Sequence, residues 1–285
     1  MHEETGGRTF DSHVPAIAQR LVAARLGGEP LPGFPGRLPP DLASAYAVQE
    51  AAIELWPDAV AGWKVGLIAP HLVPVLKQDR LAGPIFRRSV RRAAPGGRMA
   101  FPVFAGGFAA VEAEFLLELS RDAPPGKTEW TRAEALDLVA AVHVGVETAG
   151  SPLATINELG PCAIVADFGN NAGLIIGPAL PGWRTTPVEE WTCESFLDGV
   201  SVGRGHGGLA PGGPFESLRF LLALRARRSR PLKAGDWVST GAITGVHEIE
   251  AGQSARLSFT AADIVCVAEP FVPLQARPAD GELRC

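Results

Sequence analysis

The chain has 285 residues, 46% of them hydrophobic and 20% charged, which is enough length and apolar content for one sizeable core. A net charge of −5 at pH 7 gives no electrostatic footprint for a nucleic-acid partner. No apolar run approaches the roughly 18 residues of a membrane span, and the polar opening Met1 to Arg8 is not followed by an apolar signal core.

These features predict a cytoplasmic protein with no membrane partner. The four cysteines, Cys162, Cys193, Cys266 and Cys285, are scattered without a C-x-x-C pair and read as reduced residues.

Val14, Ile17, Ala18, Leu21 and Val22 recur at helical spacing and predict a helix over 12–27, ended by Gly27 and Gly28. A Pro/Gly loop follows from Gly28 to Pro40. Asp41 is placed to N-cap a second helix carrying Leu42, Ala45, Val48, Ala52 and Leu55, which Pro57 stops. Residues 61–68 read as a strand with Lys64 among apolar neighbours. A lysine there is costly unless it faces water at an edge or serves a site, as a cation for a substrate carboxylate or in proton transfer. A short helix near 70–78 leads into Asp79 to Phe86, and 87–98 reads as a loop. The expected division is a helical N-terminal region with the Lys64 strand over 1–98 and a β-roll domain over 99–285.

Val111 to Leu119 reads as a strand, so Glu112 and Glu114 project from one face. Two such carboxylates repel when buried, and a hard divalent cation such as Mg²⁺ or Mn²⁺ is the simplest remedy. Glu147, ending the next apolar run from Val142, is the candidate third ligand. The same spacing also fits the solvated face of an amphipathic strand.

Thr131 to Ala140 predicts a helix with a Thr131/Glu134 capping box. Strand-like runs follow at 141–147, 162–167, 173–177, 191–203, 236–243, 254–259 and 263–268, with one helix from Pro214 to Arg227. Many strands and few helices favour an α+β fold, an antiparallel or mixed β-roll with helices outside.

The polar amides in Ala166 to Gly173, including Asn170 and Asn171, suit either a turn or a loop that binds substrate oxygens. Gly203 to Gly208 spells G-x-G-x-x-G, but no helix opens there and an Arg-rich stretch stands where the ribose-binding acid belongs. His206 in that loop is weak evidence of a site. The basic run Arg225 to Arg230 suits the end of a helix macrodipole on a solvated face.

Taken in order, Gly62-Trp63-Lys64-Val65-Gly66, Val111-Glu112-Ala113-Glu114, Gly145-Val146-Glu147, Val165-Ala166-Asp167, the Pro214 helix, Leu232 to Asp236 and Ser239-Thr240-Gly241 resemble one known group. It is the 2-keto-4-pentenoate hydratase / 4-oxalocrotonate decarboxylase group of the fumarylacetoacetate hydrolase superfamily. The resemblance implies a β-roll core and an Mg- or Mn-dependent enzyme of aromatic catabolism. Such an enzyme adds water to a 2-hydroxy-2,4-dienoate to give a 4-hydroxy-2-oxo acid. It implies an oligomer, alone or with a related decarboxylase or hydratase. By position, Glu112, Glu114 and Glu147 match the metal ligands and Lys64 the active-site lysine, while Asn170 and Asn171 fall where relatives often carry a substrate-holding Ser-Ser pair.

The chain also departs from that pattern. Gly150-Ser151-Pro152 stands where relatives often have Asp-Ser-Arg, and Phe168 where they have Asn. The usual acid of the Pro-Asp-x-Gly segment aligns with Leu81, which leaves Asp79 as the candidate for proton transfer. Other implied readings are decarboxylation of a 4-oxalocrotonate-type acid, acylpyruvate hydrolysis, and a catalytically silent partner subunit.

Overall fold

The computed structural model describes residues 10–94 and 96–273, so Cys285 and the Met1–Arg8 opening lie outside the described residues. Helix α1 (Val14–Gly27) buries Ile17, Ala18, Leu21 and Val22, and ends at Gly28 with φ +68°. Helix α2 (Leu42–Leu55) starts where the Asp41 carboxylate accepts the Ser44 N–H at 2.8 Å. The two helices pack together.

Along the chain then come β1 (Val60–Leu67), α3 (Val73–Leu76), β2 (Arg80–Phe86), β3 (Val90–Arg92), β4 (Arg98–Val103), β5 (Phe108–Leu119) and α4 (Arg132–Leu136). Next are β6 (Val139–Ser151), α5 (Ile156–Leu159), α6 (Pro161–Ala166), β7 (Asn171–Ala179), β8 (Thr192–Leu197) and β9 (Val200–His206). Helix α7 (Gly213–Arg227) and strands β10 (Trp237–Ser239), β11 (His247–Glu248), β12 (Ser254–Phe259) and β13 (Asp263–Pro270) complete the described chain.

The strands form two mixed sheets. One has eight strands in the order β2-β1-β10-β5-β6-β7-β3, with β11 on β5, and the other has five in the order β4-β13-β12-β8-β9. Because β1 pairs with β10, the Lys64 strand belongs to the same sheet as β5, and a boundary at residue 98 crosses that sheet.

Paired residues share a face of a sheet. The register pairs Lys64 with Ser239 and Gly83, Glu112 with Glu147, and Glu147 with Leu174. The large sheet curls until β2 packs against β7, and the result is a half-barrel. Its inner face carries those polar groups and an apolar floor of Ile85, Leu116, Leu174, Ile176 and Trp237. The outer face carries Val111, Ala113, Phe115, Leu117, Val142, Val144 and Val146, which join Leu257, Phe259, Ile264 and Cys266 of the second sheet in the main core. Each such side chain contributes about 1.5–3 kcal/mol on burial.

Several local expectations are corrected. Residues 162–167, expected as a strand, form α6, with Gly160 as its cap and Pro161 in its first turn. A short apolar run carries no periodicity that separates strand from buried helix. The expected loop 87–98 contains β3, which runs parallel to β7. Run 191–203 divides into β8 and β9 at Asp198 and Gly199, both at positive φ. Helix 131–140 shortens to α4 behind its capping box, because Val139 already starts β6. Run 236–243 shortens to β10. In the G-x-G-x-x-G stretch, Gly205 lies in β9, where a Cβ would sit 1.6 Å from the Ile243 carbonyl oxygen. Close backbone approach accounts for that glycine. Within the basic run, Arg225 is fully buried, its guanidinium 3.7 Å from the Trp63 ring centroid.

Edge strand β2 is covered by α2, where Tyr46 Oη accepts the Ala82 N–H and Gln49 Nε2 donates to the Ala82 and Val165 carbonyls. This clamp presses Gly83 against the chain at 168–169, and a Cβ on Gly83 would lie 2.1 Å from the Phe168 carbonyl oxygen. Gly83→Ala is therefore expected to lower unfolding free energy by about 3 kcal/mol, measured by urea denaturation. A loss under about 0.5 kcal/mol, the usual range for surface substitutions, would mean the contact is not close.

Candidate active site

Glu112 and Glu147 face each other across β5 and β6, and Glu114 lies one pleat further along β5. One carboxylate oxygen from each can be chosen so that all lie within 4.8 Å of one another. All three are buried, Glu114 and Glu147 completely. Lys64, on the facing part of the half-barrel, places Nζ 3.2 Å from Glu147 Oε1.

One oxygen of Glu114 accepts the Ser239 Oγ–H at 2.5 Å and the Gly241 N–H at 2.8 Å. Glu147 Oε1 accepts Asn171 Nδ2–H at 3.0 Å. The remaining oxygens, Glu114 Oε1 and Glu147 Oε2, are buried without a protein partner. Clustered buried carboxylates with unsatisfied oxygens fit a hard divalent cation of the Mg²⁺ or Mn²⁺ kind.

The titration behaviour reflects this crowding. Burial pushes the Glu112 carboxyl up to about 7, with Glu147 adding to the rise and Lys64 opposing it. Glu114 is pushed well above its ordinary value, by burial first and then by Glu147 and Glu112. Burial alone would lower Lys64, but the surrounding carboxylates, Glu147 foremost, outweigh it and raise its pKa. Lys64 therefore stays a cation.

Asn170 and Asn171 are both buried. Asn171 is tied to Glu147, whereas Asn170, in a left-handed conformation at φ +62°, leaves Oδ1 without a partner. The structure does not bring Asp79 to the cluster. Its half-exposed carboxylate pairs with Arg80, and no hydrogen bond or ion pair joins it to Lys64 or the glutamates. The acid was expected there from sequence position alone, and the turn before β2 carries it to the surface side.

Sequence reasoning gave no role to three residues that hold the site. Ser239 and Gly241 bind Glu114, and their only sequence signal was the Ser-Thr-Gly motif itself. Arg25 on α1 donates to the Asp167 carboxylate and to the carbonyl of Asn171. Nothing in the helical spacing set Arg25 apart from a solvent-facing arginine.

Comparison with known proteins finds the same fold. No family model matches the chain. A 2-keto-4-pentenoate hydratase of Burkholderia vietnamiensis is 27% identical over 237 residues, 82% of this chain and 88% of the relative. Another of that name, from Paraburkholderia phymatum, is 26% identical over 264 residues, 88% of this chain and 98% of the relative. The fold is similar to that of 4-oxalocrotonate decarboxylase from Pseudomonas putida G7 complexed with magnesium and adipate, at a TM-score of 0.75 and 19% identity over 90% of this chain and 97% of that one. A fumarylpyruvate hydrolase from Pseudomonas aeruginosa, in complex with Mn²⁺ and pyruvate, matches at a TM-score of 0.53 and 17% identity over 73% and 89% of the two chains. The chain thus has the fumarylacetoacetate hydrolase-type α+β fold, and hydro-lyases are among its curated relatives.

A carboxyl whose folded pKa is raised above its unfolded value binds more protons when folded, so its ionisation costs stability as pH rises. Metal-free protein is expected to melt at lower temperature at pH 8 than at pH 5, because the folded Glu112 carboxyl, raised from 4.5 to about 7, keeps its proton above the pH at which the unfolded chain has lost it. Saturating Mg²⁺ should flatten the slope, and so should Glu112→Gln in the presence of chelator. A slope equal in wild type and Glu112→Gln would show that Glu112 is not the strained acid.

Proposed function

We propose that this protein is a divalent-metal-dependent hydratase acting on a 2-hydroxy-2,4-dienoate. The observation that carries the reading is the buried Glu112–Glu114–Glu147 cluster with Lys64 beside it on the inner face of the half-barrel. The relatives named 2-keto-4-pentenoate hydratase support it.

Glu112, Glu114 and Glu147 would hold the cation. When bound, it supplies electrostatic stabilisation of negative charge developing on the substrate's 2-oxygen. Lys64, kept charged by its neighbours, pairs with the substrate carboxylate and fixes its orientation. Asn170, whose buried Oδ1 lacks a partner, takes a substrate hydroxyl or an ordered water as its hydrogen-bond donor. Asn171 and Ser239 hold the two glutamates in place.

The overall reaction adds the elements of water across C4 and C5, a hydroxyl to C4 and a proton to C5, while the 2-hydroxyl gives up its proton and C3 takes one as the enol becomes the 2-oxo group. Asp79, paired with Arg80 and unconnected to the site, is given no step. A hydrolase reading would call for a His/Glu water-activating pair; His143 Nε2 does lie 3.8 Å from Glu118 Oε2, but its Nδ1 is bonded to the Gly177 carbonyl, its ring packs on Trp237, and no hydrogen bond or ion pair joins that pair to the glutamate cluster. The proposal carries with it a cytoplasmic oligomer.

The test follows the dienol ultraviolet absorbance of 2-hydroxypenta-2,4-dienoate. With Mg²⁺ or Mn²⁺ the absorbance should fall and 4-hydroxy-2-oxopentanoate should appear, while chelator stops both. Loss of a group supporting a metal ligand typically costs about 10–100-fold, so Glu114→Gln, which alters a ligand itself, should cost at least about a hundredfold. Full turnover in Glu114→Gln would overturn the ligand set. Metal binding without dienoate turnover would move the reading to another 2-oxo acid, to decarboxylation or to a silent partner subunit.

A further inference from the structure

Arg25 lies near the end of α1, far in sequence from the glutamates, and only 3% of its surface is exposed. Each nitrogen of its guanidinium has a hydrogen-bond partner. Nε and Nη2 take the two oxygens of Asp167. Nη2 also reaches the Asp167 and Gly150 carbonyls at 3.0 and 2.9 Å, and Nη1 reaches the Asn171 carbonyl at 2.9 Å. Ser151 Oγ donates to the same Asp167 carboxylate. Phe168 and Phe104 flank the guanidinium, with ring centroids 5.2 and 5.8 Å away.

These bonds grip both ends of one turn. Between Asp167 and Asn171, the residues Phe168, Gly169 and Asn170 all have positive φ, at 55°, 67° and 62°. Such a conformation is unfavourable for Phe and persists only where the surroundings enforce it. The turn touches the site at two points. Asn171 Nδ2 donates to Glu147 Oε1, and Gly169 packs on Gly83 close to the Lys64 side chain.

We propose that Arg25 is a positioning residue for the carboxylate site. It holds the Asp167–Asn171 turn in its left-handed form and thereby sets the Asn171 amide against Glu147. The inference rests on the metal-site reading above. A purely structural anchor would stabilise the chain without affecting the site. A positioning residue acts on cation affinity through Asn171.

The experiment uses the full chain and Mn²⁺ alone, measured by titration calorimetry, with thermal melting and amide hydrogen exchange alongside. Arg25→Lys keeps the charge but loses the bidentate fork. It should melt cooperatively, bind Mn²⁺ about tenfold more weakly, and speed exchange of the Asn170 amide, which donates to the Asp167 carbonyl. Exchange in β5 and β6 should stay slow. Asn171→Ala should lose a similar factor, and the double variant should be no weaker than the weaker single one. Arg25→Ala should be partly restored by added guanidinium, which can enter through the cavity of about 330 Å³ that Arg25 lines.

Unchanged Mn²⁺ affinity in Arg25→Lys with a lowered melting temperature would overturn the proposal, as would additive losses in the double variant. If wild type binds no Mn²⁺, the metal reading fails by itself. Asn170 exchange then judges the turn-holding role alone, and unchanged exchange would remove that too.

Discussion

Three buried carboxylates face one buried lysine, and much of the molecule is arranged around that imbalance. With the oxygens within 4.8 Å and an effective dielectric of about 20, each pair of like charges would repel by about 3.5 kcal/mol or more. Lys64 offsets part of this, Ser239 and Gly241 together satisfy one Glu114 oxygen, and Asn171 satisfies one of Glu147. Glu114 Oε1 and Glu147 Oε2 are buried without a protein partner, so the cluster is held together by the fold more than by its own bonds. A bound cation turns the same repulsion into binding energy, which is why such a cluster can be destabilising and functional at once.

The half-barrel makes the cluster possible. The period of two along β5 sends Glu112 and Glu114 inward with Leu116, while Val111, Ala113, Phe115 and Leu117 go outward into the main core. A slip of one residue in register would bury the glutamates in that core and expose its apolar set. The apolar investment of the outer face therefore fixes the polar geometry of the inner one. On the inner face Gly145 lies opposite Glu114, and a Cβ there would lie 2.2 Å from the Leu116 side chain.

This division also explains what could be read from the sequence. E-x-E within an apolar strand, a lysine in another and a glutamate ending a third are local patterns, and they meet in space because strand periodicity preserves face. Gly150-Ser151-Pro152 looked like the loss of an arginine. The structure places a guanidinium at the Gly150 carbonyl after all, supplied by Arg25 from the first helix. No local pattern could reveal that, because the contact spans 125 residues. The strand reading of 162–167 fails for a related reason. A short, fully apolar run has no polar face to report its period, and Pro161 was the single local clue.

Phe168 links these observations. In place of a polar side chain the turn carries an aromatic ring, packed at 4.9 Å from Phe86 and 5.4 Å from Trp56, with the Arg25 guanidinium over it. Apolar packing and a buried ion pair thus enforce a conformation that the backbone disfavours. The energy that strains the turn comes from the interface between the N-terminal helices and the sheet, and the turn delivers Asn171 to Glu147. Helices α1 and α2 are therefore part of the site's mechanics although they contribute no group to the cluster. A substitution that loosens the helix from the sheet would act on the glutamates through this turn before it acted on the sheet itself.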